Sequence, residues 1–174
     1  MKKRILALGA TGKDDLEVLT VDSNPKLSPD VVHDLNRMPW PFEDNQFDSI
    51  ICHHVLEHLM NFGPAMSELY RICRGEGEIY IELPHHSSYH ASSPDHKMRF
   101  NYFSFDRYLD TGKKNLWITV DEKFRLIERK VTFHKSFRRV FLHKIFNRYP
   151  LSYERFWTYI FPAEHLVLRI QPIK

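Results

Sequence analysis

The stretch "PHHSSYHASSPDHKMRF" concentrates groups that can do chemistry: His85, His86, His90, Asp95 and His96. Histidine is the side chain best poised to move a proton near neutral pH. His85, His86 and His96 are therefore the candidate catalytic residues, one of them serving as a general base. The alternative is that they cap the loop and hydrogen-bond its backbone. A metal site is a third reading, but no pair in the loop has a helical i, i+4 spacing with a known zinc motif, so no metal is expected. A second cluster, His53, His54, Glu57 and His58, contains the pattern H-x-x-E-H. His54 and His58 would share a face if the segment were helical. The pattern also matches an inverted zincin motif, yet it follows a strand, and Glu57 and His58 are expected to cap and orient a helix.

The elements that carry these groups can be read from periodicity. Arg4–Leu8, Val18–Asp22, Val31–His33 and Asp48–Cys52 are short apolar runs and read as buried strands. "MPWPFEDNQF" has two prolines and reads as a loop with its aromatics tucked inward. From Asn61 the period changes. Met66, Leu69, Tyr70 and Cys73 fall on one helix face, Pro64 suits a first turn, and Gly75 and Gly77 are expected to stop the helix. "EIYIEL" alternates as a fifth strand, ending at Pro84. Ser104 to about Thr111 reads as a short helix, and Phe124–His134 and Glu164–Gln171 as strands. Strands alternating with helices imply an α/β fold with a mainly parallel sheet. The last two strands would sit beside the parallel set.

The first strand pair raises the question of a nucleotide. "ILALGATGKDDLEVLTVD" runs a strand into Gly9-Ala10-Thr11-Gly12 and ends the next strand at Asp22. A dinucleotide turn needs a third glycine, a full helix and an acid about 20 residues on. Here the third glycine position is Asp15, and Asp22 follows Gly9 by 13 residues. An acid there would repel a pyrophosphate, so NAD(P) is disfavoured. S-adenosyl-L-methionine, which carries no phosphate, needs only a turn that lets the backbone approach its methionine tail and an acid for its ribose. Gly9 and Asp22 can do both. A plain tight turn with a surface acid explains the same residues equally well.

The longer stretch "VVHDLNRMPWPFEDNQFDSIICHHVLEHLMNFGPAMSELYRICRGEGEIYIELPHHSS" resembles class I SAM-dependent methyltransferases, in particular the small bacterial type-11 kind. The likeness continues through "SSPDHKMRFNYFSF" and "PAEHLVLRIQPIK". It implies a Rossmann-like class I methyltransferase fold, with the cofactor half at about 1–84 and acceptor-side insertions at about 85–163 of one domain, 1–174. It also implies the cofactor set. Gly9, Ala10, Thr11 and Gly12 would pass the methionine moiety, Asp22 would bind the ribose, and Ser23 beside it would belong to the cofactor-binding set. Asp34 would accept from the adenine amino group beside a donating Leu35 backbone N–H, and His53 would line the cofactor near its tail. The first loop departs from the family's acid-free glycine-rich turn. Nine residues separate Leu8 from Val18, against the dozen or more of an ordinary parallel crossover, so the first helix is shortened. That departure keeps open an alternative: a methyltransferase-fold protein with a degenerate cofactor loop, acting as a non-catalytic scaffold.

Bulk properties bound the partners. Hydrophobic residues make up 43% and charged residues 27% of 174 residues, as in ordinary soluble domains. No apolar run is long enough to span a membrane, and the apolar start breaks at Gly12-Lys13-Asp14-Asp15, unlike a secretory signal. Cys52 and Cys73 read as buried thiols of a reducing cytoplasm. The net charge of +3 divides into −6 over residues 1–87 and +9 over 88–174. Within the basic half, residues 134–161 carry six Lys/Arg against one Glu, interleaved with aromatics. Phe137, Phe141 and Ile145 could form an apolar stripe bordered by Arg138, Arg139, Lys144 and Arg148. A solvated helix explains this segment. So does an anionic acceptor such as a glycan, lipid or nucleic acid, or a peripheral membrane contact.

Overall fold

The computed structural model describes residues 4–9, 18–110, 120–138 and 141–174. Among the described residues seven strands form one sheet: β1 (Ile5–Leu8), β2 (Val18–Asp22), β3 (Val31–Val32), β4 (Phe47–His53), β5 (Cys73–Pro84), β6 (Phe124–Val131) and β7 (His165–Pro172). Their order is β3-β2-β1-β4-β5-β7-β6. β1 to β5 pair in parallel, and β7 runs antiparallel to both β5 and β6. The central strands are apolar because both faces are covered. Leu6, Leu8, Ile50, Cys52, Ile79, Ile81 and Leu83 are all buried in one core cluster.

Helix α1 (Phe62–Ile72) packs Ala65, Met66, Leu69 and Ile72 against that core. Its Glu68 reaches back to the proline-rich loop. The carboxylate accepts from the Trp40 N–H at 2.7 Å and is gripped by Arg71 at 2.7 and 2.8 Å. Arg71 also donates to the carbonyls of Phe42 and Trp40. This bidentate pair fixes Trp40, Phe42 and Phe47 inward, as the sequence suggests.

Three local expectations are corrected. Gly75 and Gly77 do not stop α1, which ends at Ile72 as the chain turns straight into β5. Gly77 is required inside that strand: a Cβ there would lie 2.7 Å from the Cys73 Sγ and 3.0 Å from the Asp48 carbonyl, beside the irregular β4–β5 register. The described part of Ser104–Thr111 is a run of turns, not a helix. Its amides bond three residues back, the Asp110 N–H donates to the Phe124 carbonyl of β6, and the Tyr108 carbonyl accepts from the Phe124 N–H. Finally, His54 and His58 do not sit on an α-helix. His54 adopts φ 54°, and Leu56–His58 is one 3-10 turn. The predicted first helix and Ala10, Thr11 and Gly12 lie outside the described residues.

Beyond the sheet, α2 (Lys135–Arg138), α3 (Leu142–Arg148) and α4 (Pro150–Ser152) lead into a π-helical turn, Tyr153–Trp157. Phe146 and Tyr153 anchor this segment on Phe133, while Phe141, Ile145, Tyr149, Leu151, Phe156 and Tyr159 remain exposed. Phe141 therefore belongs to the outer surface, and Phe137 packs against Phe161. Among the described residues, no helix is long and apolar enough to cross a membrane. Cys52 and Cys73 are free, buried thiols, the latter pushed up to about 12 by burial.

Candidate functional site

The strand order reverses between β1 and β4, and open α/β sheets bind ligands at such a switch point, beyond the carboxyl ends of the strands. A cavity of about 660 Å³ occupies that position. Its wall takes contributions from the ends of β1 to β4. Gly9 follows β1, Asp22 ends β2 and Ser23 follows it, Asp34 and Leu35 come after β3, and His53 ends β4 with His54 and Val55 following. Of the cofactor residues expected from the sequence, all those within the described residues line this one space. His58, Leu59 and Asn36 line it too.

Local structure explains each placement. Gly9 has φ +83°, a region side chains rarely adopt, and a Cβ there would meet Val55 at 3.3 Å. Its N–H is given to the Val21 carbonyl at 2.8 Å, which holds the turn against β2. The glycine leaves backbone at the cavity wall where a ligand can approach closely. Asp22 accepts from the Asn24 N–H at 2.8 Å. Asp34 accepts from the backbone and side chain of Asn36, which hold its carboxyl below the usual carboxylate range. Asp34 is thus an ionised, oriented acceptor at neutral pH, and Asp22 is oriented by its bond from the Asn24 N–H. These features fit a ligand with ribose hydroxyls and an amino-bearing ring.

A second cavity, about 360 Å³, adjoins the first. His54, Glu57, His58, Pro84, His90, Ser93, His96 and His165 line it. His54 and His58 belong to both walls. The Nδ1 of His54 lies 3.1 Å from the Glu57 carboxylate, which raises its pKa, whereas burial pushes His96 and His165 down. The cavity therefore mixes an easily protonated imidazole with imidazoles that stay neutral.

The three candidate catalytic histidines part company here. His96 lines the second cavity. His85 lines neither, and its side chain is 0% exposed. It belongs to a buried relay. The Ala163 N–H donates to Ser87 Oγ at 3.0 Å, the Ser87 hydroxyl faces His85 Nδ1 at 2.8 Å, and His85 Nε2 faces Glu154 Oε1 at 2.9 Å. His86 Nε2 meets the other Glu154 oxygen at 3.0 Å, and the Tyr102 N–H donates to Oε1 at 2.7 Å. The chain is consistent with a neutral His85 that donates from Nε2 and accepts at Nδ1. Burial pushes its pKa down, in keeping with that state. The same donors hold the Glu154 carboxyl at about 2. His85 and His86 thus tie the loop after β5 to the segment 150–158. Sequence reasoning missed Glu154 and His165. The signal available for Glu154 was that it is the one acid in a basic segment.

Residues 9–81 match a family model described as a methyltransferase domain. A structure of a SAM-dependent methyltransferase from Archaeoglobus fulgidus is similar over 97% of this chain and 86% of that one, with TM-score 0.57 and 16% identity. The complex of the Haloferax volcanii Trm112 methyltransferase activator with a putative methyltransferase is similar over 99% of this chain and 84% of that one, with TM-score 0.62 and 13% identity. This chain has the class I methyltransferase fold. The domain match, together with the lining of the larger cavity, supports S-adenosyl-L-methionine as its cofactor. An uncharacterised protein from Methanocaldococcus jannaschii is 39% identical over 46 residues, which is 26% of this methyltransferase-fold chain and 20% of the archaeal protein. That match spans about a fifth of the relative's length.

Proposed function

We propose that this protein is a SAM-dependent methyltransferase whose acceptor, an oxygen or nitrogen nucleophile, enters through the histidine-lined cavity. The observation that carries the reading is the shared wall: His54 and His58 border both the cofactor cavity and the histidine cavity. A methyl donor in the first and a nucleophile in the second would meet at that boundary. The cofactor, when bound, supplies an electrophilic sulfonium methyl group. The residues of the chain bind and align. Asp22 with Ser23 would hold the ribose hydroxyls, and Asp34 would accept from the adenine amino group beside the Leu35 N–H. Gly9 would let the methionine portion pass, with His53 near it. Alignment of this kind supplies on the order of 7–11 kcal/mol in favourable cases. His96, kept neutral by burial, is the group of the predicted trio that can act on the acceptor. His85 and His86 act as positioning residues through Glu154.

The exposed aromatics with Lys144, Arg148 and Arg155 support an anionic acceptor, such as a glycan, lipid or nucleic acid, or a peripheral contact with an anionic membrane. The same apolar surface favours a second reading. A partner protein would cover it, and the chain would serve as a methyltransferase-fold binding module; one structural neighbour is itself in complex with an activator protein. Calorimetric titration of the full chain with S-adenosylhomocysteine separates the two. Micromolar binding that is lost in Asp22→Ala supports the enzyme. No heat from well-folded protein moves the assignment to the binding module.

A further inference from the structure

Three groups of side chains among the described residues bring potential metal ligands within 4.8 Å of one another: His53–His54–Glu82, His85–His86–Glu154 and Glu57–His58–His96. The second is internally satisfied, because both Glu154 oxygens already accept from nitrogen donors. In the first, His53 is 44% exposed and stands 3.7 Å from Glu82, whose other oxygen takes the Tyr80 hydroxyl. The third differs in kind. The Glu57 side chain is 1% exposed, yet its Oε2 has no hydrogen-bond partner. The Nδ1 of His96 is likewise buried and unpartnered. Two orphaned lone-pair donors in one cluster are unusual, since buried polar atoms are nearly always paired.

We propose that Glu57, His58 and His96 form a binding site for a divalent first-row cation of the zinc type, at the wall of the histidine cavity. Two imidazoles and one carboxylate are the donor set such a cation takes, whereas magnesium and calcium prefer oxygen alone. Tetrahedral ligands about 2.0–2.1 Å from zinc stand about 3.4 Å apart. Ligand atoms within 4.8 Å of one another need to close by no more than about 1.4 Å to reach that spacing. The surroundings are those of a built site. His54 Nδ1 contacts Glu57 Oε1 at 3.1 Å, which orients the carboxylate and leaves Oε2 for the cation. The backbone joins the two ligand segments, because the Lys97 N–H donates to the Glu57 carbonyl at 2.7 Å, next to His96. All three ligands line the 360 Å³ cavity, so water or an acceptor atom can reach the cation.

The expectation from sequence was that no metal binds. It rested on spacing within one loop, whereas the Glu57–His58 pair comes from a different loop than His96. The site stands without the methyl-transfer reading. If both hold, His96 acts on the acceptor through the cation, which would favour loss of the acceptor's proton, and not as a free base.

The test uses metal-free, untagged full-length protein. Zinc chloride is titrated by calorimetry, and cobalt(II) chloride is followed by visible absorption. The expected result is one equivalent of each metal, with intense cobalt bands of low coordination number. His58→Ala and His96→Ala should each weaken zinc binding by at least about tenfold, while His53→Ala and His86→Ala leave it unchanged. His58 is exposed, so its variant tests the site without risk to folding. Circular dichroism checks the fold of Glu57→Gln, which should also lose cobalt binding. Absence of saturable binding by folded protein overturns the proposal. So does binding that survives His58→Ala and His96→Ala. Because no cofactor is present, failure here leaves the S-adenosylhomocysteine titration to be judged on its own.

Discussion

Replacing Glu154 by glutamine should cost the protein about 3 kcal/mol at pH 7. The carboxylate is 10% exposed and receives His85, His86 and the Tyr102 N–H at 2.7–3.0 Å. These donors hold its carboxyl at about 2 against an ordinary 4.5. Each tenfold change in proton affinity is 1.36 kcal/mol, so the ionised form is favoured by folding by about 3 kcal/mol. A carboxyl with a lowered folded pKa contributes fully above its unfolded value and loses that contribution as the pH falls from about 4.5 towards 2, so pH 7 keeps all of it. Glutamine keeps the shape and one acceptor oxygen. It loses the charge and turns an NH₂ group towards an imidazole N–H. Urea unfolding of both proteins measures the difference. None of these residues lines the cofactor cavity, so S-adenosylhomocysteine affinity should stay within about twofold, near the 0.5 kcal/mol scatter of distant sites. A stability loss below about 1 kcal/mol would refute the view that Glu154 is the anchor of the loop after β5. Full stability loss with equal loss of ligand affinity would show instead that the two regions are coupled.

Other outcomes follow from the same structure. Gly9→Ala should lose about 1–2 kcal/mol of stability and weaken S-adenosylhomocysteine binding, because its φ of +83° and the 3.3 Å approach to Val55 both oppose a Cβ; thermal melting with and without ligand measures each part. Glu68→Ala strands the Arg71 guanidinium and the Trp40 N–H, and should cost about 2–3 kcal/mol in urea unfolding. For His85, burial lowers the folded pKa, so its contribution is whole above about 6.5 and is lost as the pH falls below that. Wild-type stability should therefore drop more steeply between pH 7 and 5 than that of His85→Gln, as followed by denaturation at each pH. Glutamine at Lys144, Arg148 and Arg155 together should reduce co-sedimentation with anionic vesicles or RNA, and added salt should reduce wild-type binding in the same way; salt-independent binding would point to the apolar surface alone.

Periodicity and punctuation were enough to read the strands, the helix Phe62–Ile72 and the mainly parallel α/β class, because burial of alternate or four-spaced apolar residues leaves a linear trace. Gly9 and Asp22 stood out beside their strands and Asp34 and His53 through the family resemblance, and the structure brings all four to the wall of one cavity. Each lies at or just past the end of a strand, and a parallel sheet brings all such positions to one edge. What lay between distant segments was not legible. "HHVLEH" has helical spacing, but the backbone bond from His54 to the Glu82 carbonyl forces a left-handed turn after β4. Ser104–Asp110 carries a helical apolar pattern, but its end is bonded to β6. His85 and His96 look alike in one loop. Their fates differ because Glu154, 69 residues from His85, buries one, while the turn at Glu57 holds the other in a cavity. Local sequence sets which elements form and where their ends lie. Only the tertiary structure decides which histidine meets a carboxylate, because that meeting depends on contacts across the fold that no local period records.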